Sequence, residues 1–247
     1  MHPVLFKLGP LTIYTYGFFV FLGVITGYFV SARLAKSEDI NQEQFSSIFF
    51  WTVIAGFLGA KILYLIIEWK YFLMAPLYLI RSGFVFYGGL ISGFLTLFLL
   101  SRKYKLKLFK LLDIFSVGIV LGHAFGRVGC FFYGCCYGRP TKTFLGLLFP
   151  ASSPAGSLGV KVIPTQLISA GFLFLLSLIL LRFYRRKSYD GQVFIFYLFI
   201  YSTFRFFIEF LRGDPRGGLG LFSTSQLISL AGVIFCLYIW KRLRSSA

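Results

Sequence analysis

Charge is scarce in this chain, and acid is scarcest. Charged residues make up 13% of the 247 positions, about half the share of a soluble domain. That excludes an ordinary soluble enzyme. No internal repeat, low-complexity tract or polar stretch long enough for a soluble domain interrupts the sequence. With neither a pseudo-repeat nor signs of broken helices, a transporter is a poor fit. The chain does not open with a basic segment, a short apolar core and a small-residue cleavage site, so no removable signal peptide is expected. The four cysteines do not resemble a small secreted disulfide scaffold. Of the two histidines, His2 carries no signal and His123 lies in an apolar run.

What is present is oil. The chain is 57% hydrophobic and 21% aromatic, with a mean hydropathy of +0.80. This composition predicts an all-α, polytopic membrane protein. A membrane helix needs about 20 mostly apolar residues. Seven stretches qualify: 11–32, 48–67, 83–100, 111–133, 162–181, 193–211 and 221–240. Together they predict a single transmembrane domain over 1–247. The Gly-, Pro- and Ser-rich segment 134–161 forms a small cap on it.

The charge balance, 25 Lys+Arg against 8 Asp+Glu, gives +17. On a soluble protein that would point to nucleic acid. Here the bases sit in short connections, where they set topology and meet anionic lipid headgroups, so no nucleic-acid partner is expected. One side collects 14 bases and the other 8. The denser side is cytoplasmic by the positive-inside rule. The N-terminus is then outside (periplasmic), the C-terminus cytoplasmic and the cap extracytoplasmic.

Three bases remain within the apolar runs: Lys61, Arg127 and Arg205. An ionisable group there costs several kcal/mol (~3 or more) unless paired or wet, and is a functional signal by default. All three fall in the outer half of their runs. Glu209 follows Arg205 by four residues and Arg212 follows Glu209 by three, which places them on one helical face. Tyr16 and Tyr87 fall at similar depth. The pattern predicts a cationic, aromatic-rimmed pocket. Guanidinium forks match phosphate geometry, and a phospholipid headgroup is the phosphate available at that depth. The competing reading is that the arginines snorkel and Glu209 neutralises Arg205. Gly88, Gly89, Gly126 and Gly129 either allow close helix packing or leave room and backbone N–H groups for a lipid.

These residues sit in motifs. "LGPLTIYTYGFFVFLG" (8–23), "FYGGLISG" (86–93), "GRVGCFFYGCCYGR" (126–139), "FRFFIEFLRGDP" (204–215) and "STSQLISL" (223–230) resemble, in order and spacing, those of the bacterial phosphatidylglycerol–prolipoprotein diacylglyceryl transferases. The resemblance covers nearly the whole chain. It implies a multi-pass enzyme of the bacterial cytoplasmic (inner) membrane, a monomer, whose partners are phosphatidylglycerol, the lipobox peptide of a prolipoprotein and membrane lipids. It implies transfer of the diacylglyceryl group to the lipobox cysteine thiol, with no metal and no organic cofactor. It places phosphate handling on Arg127 and Arg205, with Glu209 and Arg212 beside them, and Tyr16, Lys61, Gly88, Gly89 and Gly129 shaping the lipid site.

Three departures stand out. The family's H-G-G-L histidine is Tyr87 here, and tyrosine, with a reference pKa near 10, is a poor base at neutral pH. His123, four residues before Arg127, offers an imidazole from another wall or packs as a neutral ring. Tyr87 and His123 are thus the two candidates for activating the thiol. Next, the signature's N-F-x-N-x-E is replaced by Cys130 to Cys135, followed by Cys136. This C-x4-C-C cluster is open to several readings: a disulfide from Cys130 to Cys135 or Cys136, inert buried thiols, a redox or nucleophilic role, or a metal site. Its spacing is not the usual one for zinc. Finally, "IPTQLIS" (163–169) keeps Pro164, Gln166 and Leu167 of the family's H-P-x-Q-L-Y-E but not its histidine or its Tyr-Glu pair. Two alternatives follow from these departures. One is a paralogue with the same lipid pocket and a different donor or acceptor. The other is a non-catalytic lipid-binding membrane protein.

Overall fold

The computed structural model describes residues 3–9, 11–81, 83–214, 218–219 and 222–244. His2 lies outside them. Helices dominate. Two short antiparallel hairpins join them, β1 (Val4–Leu8) with β2 (Leu11–Tyr14) and β3 (Gly218–Leu219) with β4 (Phe222–Ser223). The helices are α1 (Thr15–Lys36), α2 (Gln42–Ile67), α3 (Trp69–Met74), α4 (Pro76–Arg81), α5 (Phe86–Lys103), α6 (Leu108–Tyr133), α7 (Thr165–Tyr184), α8 (Gln192–Ile208) and α9 (Thr224–Arg244).

Six of these are long and apolar enough to cross a membrane: α1, α2, α6, α7, α8 with its 3-10 extension to Leu211, and α9. The run 83–100 does form a helix, α5, but its 18 residues end in Arg102 and Lys103. The first expected run loses residues 11–14 to β2, because Leu11–Tyr14 pairs with β1 in the register Leu8↔Leu11, Lys7↔Thr12, Phe6↔Ile13. The second begins earlier, at Gln42. There Asn41 caps it, its Oδ1 accepting from the Glu43 and Gln44 amides at 2.9 and 3.1 Å and satisfying two of the first-turn N–H groups that a helix leaves unbonded.

The chain falls into two compact units, Met1–Ser31 with Leu112–Ala247, and Ala32–Leu111. In the first, α1 meets α6 backbone to backbone. A Cβ added at Gly23 would lie 2.8 Å from the Gly122 carbonyl oxygen, and one at Gly27 would lie 3.0 Å from that of Gly118. Small residues four apart on both helices permit this approach, which larger side chains would hold open. Helix α8 is anchored to α6 by Asp113, which is fully buried. Its carboxylate accepts from the Gly191 and Phe194 amides at 2.8 and 2.9 Å and lies 3.5 Å from the Lys187 ammonium. A carboxylate at a helix N-terminus meets unsatisfied N–H groups and the positive end of the dipole. Phe172 of α7 stacks on Phe204 of α8 at 3.7 Å, one residue before Arg205.

Residues 134–161 fold around a small core of Tyr137, Phe149, Ala155 and Val162, with Phe131 and Leu147 against it. Single bridges tie Pro140 and Leu147 to Val162. In the second unit, α2 and α5 form a close pair, with Gly59 against Gly88 and Gly56 against Gly89. Ser92 Oγ reinforces it by donating to the Ala55 carbonyl at 2.8 Å.

Candidate active site

The last turns of α6 carry His123, Arg127 and Cys130 on one face, since residues three and four apart are helical neighbours. Arg127 donates its Nε–H to His123 Nε2 at 3.2 Å. A guanidinium can only donate. Nε2 therefore carries a lone pair, and the ring proton sits on Nδ1. The His123 ring packs edge-on against Tyr201 of α8, centroids 5.3 Å apart. Arg127 is half-buried. Among the described residues no carboxylate pairs with it.

Arg205, near the end of α8, is held from two sides. It pairs with Glu209 at 2.9 Å, one turn on, and donates to Ser225 Oγ of α9 at 2.9 Å. Arg212 follows the 3-10 turn Glu209–Leu211. Its side chain is only 3% exposed and makes two parallel bonds to Asp214, both 2.8 Å. Burial disfavours its charge. The Asp214 bonds and the nearby Cys136 thiol group outweigh that and hold its pKa above the usual value.

The backbone around Arg212 is interlocked with the segment after the cysteines. Arg139 N donates to Leu211 O at 2.8 Å and Gly213 N to Tyr137 O at 3.1 Å. A Cβ at Gly138 would sit 2.8 Å from the Leu211 carbonyl oxygen, so glycine is needed for the approach. Gly138 and Gly213 thus let the backbones of two distant motifs meet.

The cysteines join the same site. The Sγ atoms of Cys130, Cys135 and Cys136 all lie within 4.8 Å of one another. They are free thiols in the structure, each half-buried. Gly134, at φ +81, and Cys136, at φ +63, turn the chain through the left-handed region that glycine adopts most readily. The turn is braced from the start of α7. Thr165 Oγ1 donates to the Cys136 carbonyl at 2.8 Å and Gln166 Nε2 to that of Cys135 at 2.7 Å. Hydrogen bonds from its two neighbouring thiols, with the charges of Arg212 and Arg127, hold the Cys136 thiol below its usual pKa against burial.

Tyr16 packs on α6 at Gly129, where a Cβ would stand 3.1 Å from its ring. A Cβ at Gly126 would meet open space. Lys61, Tyr87, Gly88 and Gly89 belong to the second unit. There Lys61 Nζ donates to the Leu79 and Gly83 carbonyls at 3.0 and 3.1 Å and lies over the Phe84 ring at 4.7 Å. Gly88 and Gly89 face the backbone of α2. Sequence reasoning missed Ser225, Asp214, Tyr201 and Thr165. Only Asp214, two residues past Arg212, carried a local signal.

Residues 3–242 match the profile of the family described as "Prolipoprotein diacylglyceryl transferase". The chain belongs to that family. Curated members align over most of both chains. It is 42% identical to phosphatidylglycerol–prolipoprotein diacylglyceryl transferase 2 of Clostridium perfringens, over 93% of this chain and 91% of that one. It is 38% identical to the Clostridium tetani transferase, over 98% and 97%, and 36% identical to that of Finegoldia magna, over 95% and 92%. The family motifs with their arginines lie inside the matched region. The cluster at Cys130, Cys135 and Cys136 and the braced turn that carries it lie there too.

Proposed function

We propose that this chain is a diacylglyceryl transferase, moving the diacylglyceryl group of phosphatidylglycerol onto the lipobox cysteine thiol of a prolipoprotein, the first step of lipoprotein maturation. The observation that carries the reading is Arg127. It is a permanently charged group in an apolar helix, without an acidic partner among the described residues. Such a charge is costly in a membrane unless an anion completes it. The anion is the lipid phosphate.

In the reaction the thiol sulfur attacks the glycerol carbon that bears the phosphate. The C–O bond breaks, a thioether forms, and glycerol phosphate leaves. Negative charge grows on the departing oxygen, where a preorganised guanidinium stabilises it without further reorganisation. Arg127 is aimed by His123, Arg205 by Glu209 and Ser225, and Arg212 by Asp214. Each fork is held before the lipid arrives. Tyr16 borders this site from α1. The seven-span reading completes the picture, with α5 as the additional crossing, the N-terminus outside, the cap over the outer leaflet and the enzyme in the bacterial cytoplasmic membrane. The 14-to-8 distribution of bases supports that orientation.

The test is direct. Purified protein is incubated with phosphatidylglycerol vesicles and a lipobox peptide, and the peptide is weighed by mass spectrometry. A diacylglyceryl adduct on the cysteine peptide, absent from its serine analogue, is the expected result. No adduct from folded protein sinks the reading.

A further inference from the structure

The three thiols at the end of α6 have no assigned part in the transfer, yet they stand at its centre. We propose that Cys130, Cys135 and Cys136 form a zinc site whose open fourth position binds the lipobox thiol and presents it as thiolate. The proposal rests on the transferase reading above and names the group that activates its nucleophile.

The geometry is that of a nearly assembled trithiolate. Thiolates 2.3 Å from a tetrahedral zinc are about 3.8 Å apart. The three sulfurs, all within 4.8 Å of one another, need to close by about 1 Å at most to reach that spacing. Their backbone is already fixed. Thr165 and Gln166 hold the carbonyls of the two adjacent cysteines, and the Cys135 amide donates to the Cys130 carbonyl at 3.2 Å. Bracing of this kind orients metal ligands. All three residues are half-buried and none is in the fully enclosed core. Structural zinc sites are closed by four protein ligands, whereas catalytic ones have three and an open position.

The electrostatics agree. Three thiolates around a divalent zinc carry a net negative charge, and a fourth adds to it. Arg127 lies one helical turn before Cys130, and the Arg212 guanidinium is near enough to Cys136 to act on its charge. Their positive charge favours thiolates over thiols, and Arg127 is the group proposed above to take the phosphate. Nucleophile and leaving group would therefore meet within one unit of the protein.

The chemistry has a vacancy for such a site. A free thiol has a pKa near 8.5 and is mostly protonated at neutral pH. Tyrosine occupies position 87, and His123 gives its Nε2 lone pair to Arg127. A thiol on zinc, by contrast, is deprotonated outright. Its proton goes to solvent on binding, the sulfur then attacks the glycerol carbon, and the C–O bond breaks towards the phosphate. The neutral thioether is a weaker ligand than a thiolate and leaves the metal.

The experiment uses the full-length protein in detergent or nanodiscs. Zinc content is measured by plasma mass spectrometry, and cobalt is then exchanged in. About one zinc per chain is expected, along with a cobalt–thiolate charge-transfer band. The band should shift when lipobox peptide is added and stay put with its serine analogue. Cys136→Ser should lose the metal and at least tenfold in transfer rate, whereas Cys236→Ser, deep in α9, should lose neither. Full transfer by zinc-free protein overturns the proposal while leaving the transferase reading intact, as does a cobalt band indifferent to the peptide. A disulfide among the three cysteines in active enzyme overturns it as well. These spectra are read on the wild-type chain, so misfolding of a variant cannot mask the outcome. Absence of transfer with every metal form overturns the transferase reading instead, and the cobalt response still reports on the site.

Discussion

Arg127 donates its Nε–H to His123 Nε2, 3.2 Å away and one helical turn earlier. The bond commits the lone pair that a general base would use. It also restrains the guanidinium plane of the group proposed to take the phosphate. In the proposed reaction His123 would then act as a positioning residue for Arg127.

This makes a distinctive prediction for His123. Replacing it with alanine frees the arginine to rotate and should lower the transfer rate about tenfold. His123→Gln keeps an acceptor and should recover most of the loss. A base would behave otherwise, with glutamine as poor as alanine and a lost pH dependence. Peptide adduct formation, followed across pH, separates the two.

Arg127 itself should tolerate nothing. Removing one preorganised charge-stabilising donor costs roughly 100–1,000-fold in rate, and Arg127→Ala should show at least that loss. Arg127→Lys retains charge without the fork and should stay at least tenfold impaired. The proteins should remain folded by thermal unfolding in detergent, because the charge is unpaired among the described residues. Near-normal transfer by Arg127→Ala would remove the proposed phosphate site.

Arg212 and Asp214 make a different case, since their pair is structural as well as electrostatic. The Arg212 side chain is 3% exposed. Breaking a buried pair by removing one partner costs about 3–5 kcal/mol. Asp214→Ala should lower the unfolding temperature by several degrees before any effect on chemistry is read. A double-mutant cycle with Arg212→Met should show strong coupling, and additive effects would mean that the pair does not act as a unit.

Gly23 probes the seam between α1 and α6. Gly23→Ala puts a Cβ 2.8 Å from the Gly122 carbonyl oxygen, and backbone must shift to admit it. Overpacking of this kind costs about 1–3 kcal/mol. The variant should unfold earlier in detergent, whereas Gly171→Ala, whose added Cβ meets open space, should match the wild type. Equal stability of the two would show that the seam is not tightly packed.

Lys61 should act within its own unit. Its ammonium bonds to two carbonyls there, so Lys61→Met should reduce yield and thermal stability. Activity per folded molecule should change by less than about twofold, as for residues outside the chemistry. A selective loss of transfer with stability intact would instead give Lys61 a part in lipid handling.

The sequence alone determined that the chain is built of apolar helices, because hydropathy over about 20 residues is a local property that needs no partner. It also exposed Arg127, Arg205 and Glu209, since charge in an apolar run stands out, and spacing placed His123 beneath Arg127 on one helical face. Its motifs carried the family. It could not show that Leu11–Tyr14 leaves the first apolar run to pair with β1, a choice made by the strand beside it. Nor did it reveal that Gly23 and Gly27 receive α6, that Asp113 caps α8, or that Ser225 and Asp214 hold the arginines. These depend on which surfaces meet. The cysteines show the difference most clearly. Along the chain, C-x4-C-C has the wrong spacing for a familiar metal motif. Only the left-handed turn at Gly134 and Cys136, braced from α7, brings three sulfurs together beside two arginines, because a turn's direction is set by the contacts that fix its carbonyls.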